Sequence, residues 1–198
     1  MDQLVTIQPA PTLRGFCQHI IAKHASNWPA DEMVMAEEFV TFFKLDFLTT
    51  VTSLTELCKS LGVNVSHSKL PRGLHGHNCA YEDKREIVIA ETAETPRVPG
   101  AREHTLLHEL REIMEYEFRK INSPIASDLA DREERAEDFA CYVRAALPIK
   151  AFGEILEHMG QPKWTVGEAC LAVIFGIAMI VYAFSCTMLP HWEDQLHG

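Results

Sequence analysis

His104-Thr105-Leu106-Leu107-His108-Glu109-Leu110-Arg111-Glu112 gathers residue types that can bind and use a metal ion. On a helix, residues four apart share a face, so His108 and Glu112 can reach one cation. The pattern is His-Glu-x-x-His with Glu112 at the second histidine position. In that pattern the two outer residues hold zinc, and the glutamate between them takes a proton from water. Carboxylate oxygen is an accepted zinc ligand, so Glu112 keeps binding open. The donor set becomes more anionic, which weakens the ion as a Lewis acid and favours a harder divalent cation. His104 lies four residues before His108 and stands as a reserve ligand or an outer partner.

A third ligand has to come from elsewhere. Glu133, Ala136, Glu137 and Ala140 fall on one face of a second helix, with Phe139 adjacent. A carboxylate from a following helix completes many His/His/Glu sites, and small alanines allow close approach of that helix. The plainer alternative makes Glu109, Glu112, Glu115 and Glu117 the solvated face of an acidic helix. The same alternative applies to the glutamates of the second helix.

Several elements must position these residues. Pro29-Ala30-Asp31 ahead of Met33, Val34, Ala36, Phe39, Val40 and Phe43 predicts an amphipathic helix. Ser53-Leu54-Thr55-Glu56 has the form of a capping box, and Gly62 predicts the end of the helix it opens. Val63-Asn64-Val65 alternates, Pro71-Arg72-Gly73 and His75-Gly76 predict turns, and Arg85 to Ala90 predicts a strand. A loop over 94–101 leads into a helix from His104 to Lys120. After a break at Asn122-Ser123-Pro124, a second helix runs from about Ser127 to Ala146 and stops at Pro148. Met159-Gly160-Gln161-Pro162 is a further break. The expected class is α+β, mostly helical with a small three-stranded sheet, divided as 1–52, 53–150 and 151–198.

Bulk properties narrow the function. In 198 residues, 47% are hydrophobic and 23% charged, an ordinary globular composition. A net charge of -10 without any Lys/Arg cluster argues against direct nucleic-acid binding, which needs concentrated positive charge. Six cysteines lack any Cys-x-x-Cys pair and suit neither a zinc ribbon nor a disulfide framework. Reduced thiols and a cytoplasmic protein are expected, since Met1 to Pro11 has no leader-like apolar run.

The order of motifs resembles the ImmA/IrrE metallopeptidase-like family, which is zincin-like. The resemblance rests on Leu61-Gly62-Val63, Leu70-Pro71-Arg72-Gly73-Leu74-His75-Gly76, Ile87-Val88-Ile89 and Thr105-Leu106-Leu107-His108-Glu109-Leu110. Glu133-Glu134-Arg135-Ala136-Glu137-Asp138-Phe139-Ala140 and Ala145-Ala146-Leu147-Pro148 complete it, so it covers residues 53 to 148. It implies His108 as a metal ligand, Glu109 as general base and Glu133 as third ligand, with Glu134 and Glu137 as alternatives. With Glu112, these form the expected site for zinc or another divalent metal. Two departures stand out: Glu112 replaces a histidine, and Glu137 replaces the usual Asn or Asp.

The resemblance implies an endopeptidase that cleaves a regulatory protein of repressor or antitoxin type. The rival expectation is an inactive binding or sensor module on the same fold. Ala169 to Leu189 carries no charged residue and is long enough to span a bilayer, with Trp164 and Trp192 near its ends. The family resemblance instead makes Leu171 to Ala178 part of a helical pair turning at Gly176. The soluble reading is preferred to a C-terminal anchor, and the apolar segment could also form a homo-oligomer or partner surface.

Overall fold

The computed structural model describes residues 12–25, 31–46, 49–91, 100–121 and 129–159, together with 174, 176–178, 181 and 182. Helix α1 (Leu13–Lys23) starts where the Thr12 side chain accepts from the Gly15 N–H, and it buries Leu13, Phe16, Cys17 and Ile20. Helix α2 (Glu32–Phe42) starts at Asp31, whose carboxylate accepts from the Met33 N–H, as Pro29-Ala30-Asp31 predicts. Helix α3 (Val51–Ser60) begins one turn earlier than expected. Thr50 and Ser53 exchange the reciprocal capping bonds, so the box is Thr50/Ser53 instead of Ser53/Glu56. Glu56 pairs with Lys59 on the surface at 2.8 Å. The earlier start lets Leu54 and Cys58 face the core. The predicted stop holds: Gly62 adopts φ +78°, and the Gly62 and Val63 N–H groups close on the Lys59 and Cys58 carbonyls at 3.0 and 2.9 Å.

That closure delivers the chain into a three-stranded sheet of order β1-β3-β2. Strand β1 (Asn64–Ser68) is parallel to β3 (Lys84–Ala90), and β2 (Gly76–Tyr81) is antiparallel to it. Pro71 to Leu74 turns as predicted, the Leu74 N–H reaching the Pro71 carbonyl at 3.0 Å. His75-Gly76 does not form a second turn. Gly76 opens β2 opposite Ile89, because the pairing partner supplied by β3 outweighs a local turn preference.

Helix α4 (Ala101–Lys120) starts three residues before His104, and it contacts α1, α3, α5, β2 and β3. Helix α5 (Leu129–Met159) was expected to stop at Pro148, yet it runs through it. Proline removes one backbone donor. Packing compensates: Val143 and Leu147 belong to the common core, and the Lys150 ammonium donates to the Leu45 carbonyl at 2.9 Å. The core is continuous from the first helices onward. Phe16 meets Phe39 edge-on at 5.5 Å, and Phe39 meets Phe139 at 5.4 Å, which joins α1, α2 and α5.

The protein is thus α+β, mostly helical, with a small sheet set against the central helix α4. Among the described residues no helix is long and apolar enough to cross a membrane. Most of 169–189 lies outside them, as do 94–99 of the loop expected over 94–101, the break at 122–124, and 160–162 of the break expected at 159–162; Ala101 and Met159 are helical. Within the tail, Ile174, Ile177 and Val181 are exposed.

Candidate metal centre

Helix α4 is surrounded by other elements on several sides, and this sorts its charged residues. The solvated-face alternative does not hold for the motif helix: Glu109, Arg111, Glu115 and Glu117 are all buried. Each buried charge needs a partner. The Arg111 guanidinium donates bidentately to Glu32 at 2.9 and 2.8 Å, tying α4 to the first turn of α2. Arg135 on α5 donates to the same Glu32 carboxylate at 3.1 Å. Arg85 on β3 donates to Glu117 at 2.9 Å. These pairs fix the rotation of α4 about its axis, which decides where its histidines point.

They point at α5. His108 Nε2 lies 3.3 Å from Glu133 Oε2, and His108 Nδ1 lies 3.5 Å from Glu137 Oε2. His108, Glu112 and Glu133 place one potential ligand atom each within 4.8 Å of one another. The expected ligand set is therefore brought together. Ala136 and Ala140, both fully buried, permit this approach of the two helices. Glu134, an alternative third ligand, points elsewhere: it lines a polar depression of about 480 Å³ beside Asp31 and Asp138. Glu137 is close to the centre, but its nearest partners are His104 Nε2 at 2.9 Å and the Nδ1 edge of His108. A carboxylate on one nitrogen of a histidine orients the other toward a metal. Here that leaves His108 Nε2 facing Glu133.

Electrostatics agree with this division. Burial opposes the imidazolium of His108, but hydrogen bonding to Glu137 and the charges of Glu109, Glu137 and Glu133 raise its pKa overall. Burial also opposes ionisation of Glu137, yet hydrogen bonds from His104 and His108 hold it well below the usual carboxylate range. Glu109 moves the other way. Burial raises its pKa most, the Asn78 hydrogen bond and the His108 charge act against this, and the charges of Glu112 and Glu133 add to the rise. A carboxylate raised in this way is better matched to proton transfer near neutral pH than an exposed one.

Two contributors escape the sequence reading. Asn78 on β2 donates to Glu109 Oε2 at 2.7 Å and also to Glu112. Arg132 at the start of α5 donates to Glu112 Oε1 at 3.2 Å. Neither has a local motif, because both depend on which strand and helix lie beside α4. Gly76 was visible as the last glycine of the Leu70 to Gly76 stretch, but its purpose was not. A Cβ there would stand 2.6 Å from Thr105 Cγ2 and 3.0 Å from Glu109 Oε1. Thr105 cannot easily retreat, since its hydroxyl donates to the Ala101 carbonyl at 3.0 Å. Gly76→Val is expected to cost about 1–3 kcal/mol of stability through overpacking. A urea midpoint unchanged from wild type would show that β2 does not press on the motif helix at this point.

The centre is open on one side. Glu133 has a side-chain exposure of 56%, against 17% for His108 and 11% for Glu112. Structural zinc sites are closed by four protein ligands, whereas catalytic ones keep an accessible position. Three protein donors with one exposed flank fit the second kind. No family model, curated protein or solved structure matches the chain.

Proposed function

We propose that the protein is a metal-dependent endopeptidase with a zincin-like site, acting on a regulatory protein. The carrying observation is that His108, Glu112 and Glu133 converge from two helices while the buried Glu109 stands beside them. The donor set suits zinc or a harder divalent cation. When bound, such an ion would supply Lewis acidity toward a peptide carbonyl and toward water. His108, Glu112 and Glu133 would hold it, and Glu137 would orient His108 through Nδ1. Glu109 would accept the proton of the attacking water and pass it to the leaving amine. Asn78, fixed on β2, would keep the Glu109 carboxylate aimed and stop it from turning outward. The exposed flank at Glu133 is where a peptide would enter. The substrate class, a repressor- or antitoxin-type protein, follows from the family resemblance alone.

A second reading is a binding or sensor module that needs no ion. Two contacts favour it: Arg132 and Asn78 already donate to Glu112. An arginine on a ligand carboxylate competes with a cation for the same oxygen. Elemental analysis of purified wild type and His108→Ala separates the readings. The peptidase reading expects near-stoichiometric metal in wild type and its loss from the variant. Wild type that stays metal-free after incubation with zinc and manganese would leave the binding module.

A further inference from the structure

The ligand-bearing residues of α4 and α5 form two facing rows. Positions 104, 108 and 112 succeed each other at four-residue steps on α4, and 133, 137 and 141 do so on α5. Side chains four apart stack along one helix face. The rows meet in antiparallel order. His108 faces Glu133 at 3.3 Å, and His104 faces Glu137 at 2.9 Å. One step further along α5, the Cys141 thiol donates to Glu137 Oε1 at 3.9 Å. The centre assigned above uses only one end of these rows.

At the other end, His104, Glu137 and Cys141 also place one ligand atom each within 4.8 Å of one another. Cys141 is 7% exposed and the Glu137 side chain 37%, against 56% for Glu133, so this end is the less open of the two. The nitrogen of His104 that lies against Glu137 is Nε2, at 2.9 Å. An imidazole, a carboxylate and a thiol converging on one point make a ligand set for a divalent cation.

We propose that His104, Glu137 and Cys141 form a second cation site, for zinc or another thiophilic divalent ion. The two ends differ in chemistry. The first offers one nitrogen and two oxygens, and the second adds a sulfur, which shifts preference toward softer ions. Binding at the second site replaces the thiol proton of Cys141, which leaves to bulk water. Glu137, beside both His104 and His108, links the two sites. An ion at the second site would clamp α4 to α5 and hold Glu137 against His108. This site does not rest on the hydrolytic reading, and it would serve a binding module equally.

The test uses the full chain, stripped of metal under reducing conditions and titrated with Co(II). Thiolate ligation gives a sulfur-to-cobalt charge-transfer band in the near ultraviolet. Wild type is expected to show that band. Cys141→Ser and His104→Ala should each lose it together with one bound equivalent. Glu133→Gln should lose the other equivalent and keep the band. A wild type without the band overturns the proposal. So does a band that survives Cys141→Ser, since the sulfur would then belong to another cysteine such as the exposed Cys79. Circular dichroism checks that each variant is folded, and either thiol-side variant alone decides the matter. A Cys141-dependent band in a protein that binds only one equivalent would support the second site and count against the first.

Discussion

Arg111→Ala is expected to destabilise the protein by about 3–5 kcal/mol, the usual cost of removing one partner from a buried ion pair. Arg111 is 2% exposed, and its guanidinium makes two bonds to Glu32, itself 6% exposed. It also lies 3.6 Å from Glu115, which is 3% exposed. Removing the guanidinium leaves Glu32 with Arg135, a partner on the more exposed side, and takes a nearby cation from Glu115. The Glu32 carboxylate would then be buried with too little compensation. For a chain of this size each 1 kcal/mol moves the melting temperature by about 2–4 °C, so a fall of roughly 10 °C is expected. Urea denaturation should show a lower midpoint with the slope unchanged. A double replacement of Arg111 and Glu32 by methionine should be milder than Arg111→Ala, because no unpaired charge remains from that pair. A loss below 1 kcal/mol for Arg111→Ala would mean that this pair does not anchor α4.

The stability effect bears on the site. The same arginine that pairs with α2 sits between Glu109 and Glu112 in the chain. On a helix its neighbours point to other faces, so fixing Arg111 inward against α2 directs Glu109 to β2 and Glu112 to α5. Arg111, between Glu109 and Glu112, serves as a packing anchor.

Glu109→Gln is expected to lower peptide hydrolysis by about 10²–10⁴-fold, the range for loss of a positioned general base. Metal content should stay at the wild-type level, because Glu109 is not among the converging ligands His108, Glu112 and Glu133. The amide is nearly isosteric and can still accept the Asn78 hydrogen bond from the oxygen side. Packing against Gly76 and Thr105 should therefore persist, and a loss of activity would report proton transfer. The measurement is cleavage of a mixed peptide library by metal-loaded protein, followed by mass spectrometry of the new termini. Equal product from wild type and Glu109→Gln would sink the peptidase reading, and the binding module would take its place.

Much of the framework was legible from local pattern. The helix start after Pro29-Ala30-Asp31, Gly62 as a stop and the β3 run were read correctly because each depends on a few neighbouring backbone groups. The errors have a common cause. The Thr50/Ser53 box, the strand beginning at Gly76 and the continuation of α5 through Pro148 are all tertiary overrides of local preference. In each case buried contacts outweigh a turn, cap or proline preference worth only about 1–3 kcal/mol.

The candidate site divides the same way. The sequence by itself determined which ligand types are present and that they recur at four-residue steps, since that follows from helical periodicity alone. It also marked His108, Glu109, Glu112 and Glu133 as a set worth testing. Only the tertiary structure decided that Glu133, and not Glu134, faces His108, because the register of α5 is set by Ala136, Phe139 and Ala140 in the core. Only the tertiary structure brought Asn78 and Arg132 to the glutamates, and Arg111 to a partner 79 residues away in sequence. Such pairings have no local signature: burial in a shared core selects them, and that core exists only once α2, α4, α5 and the sheet have packed.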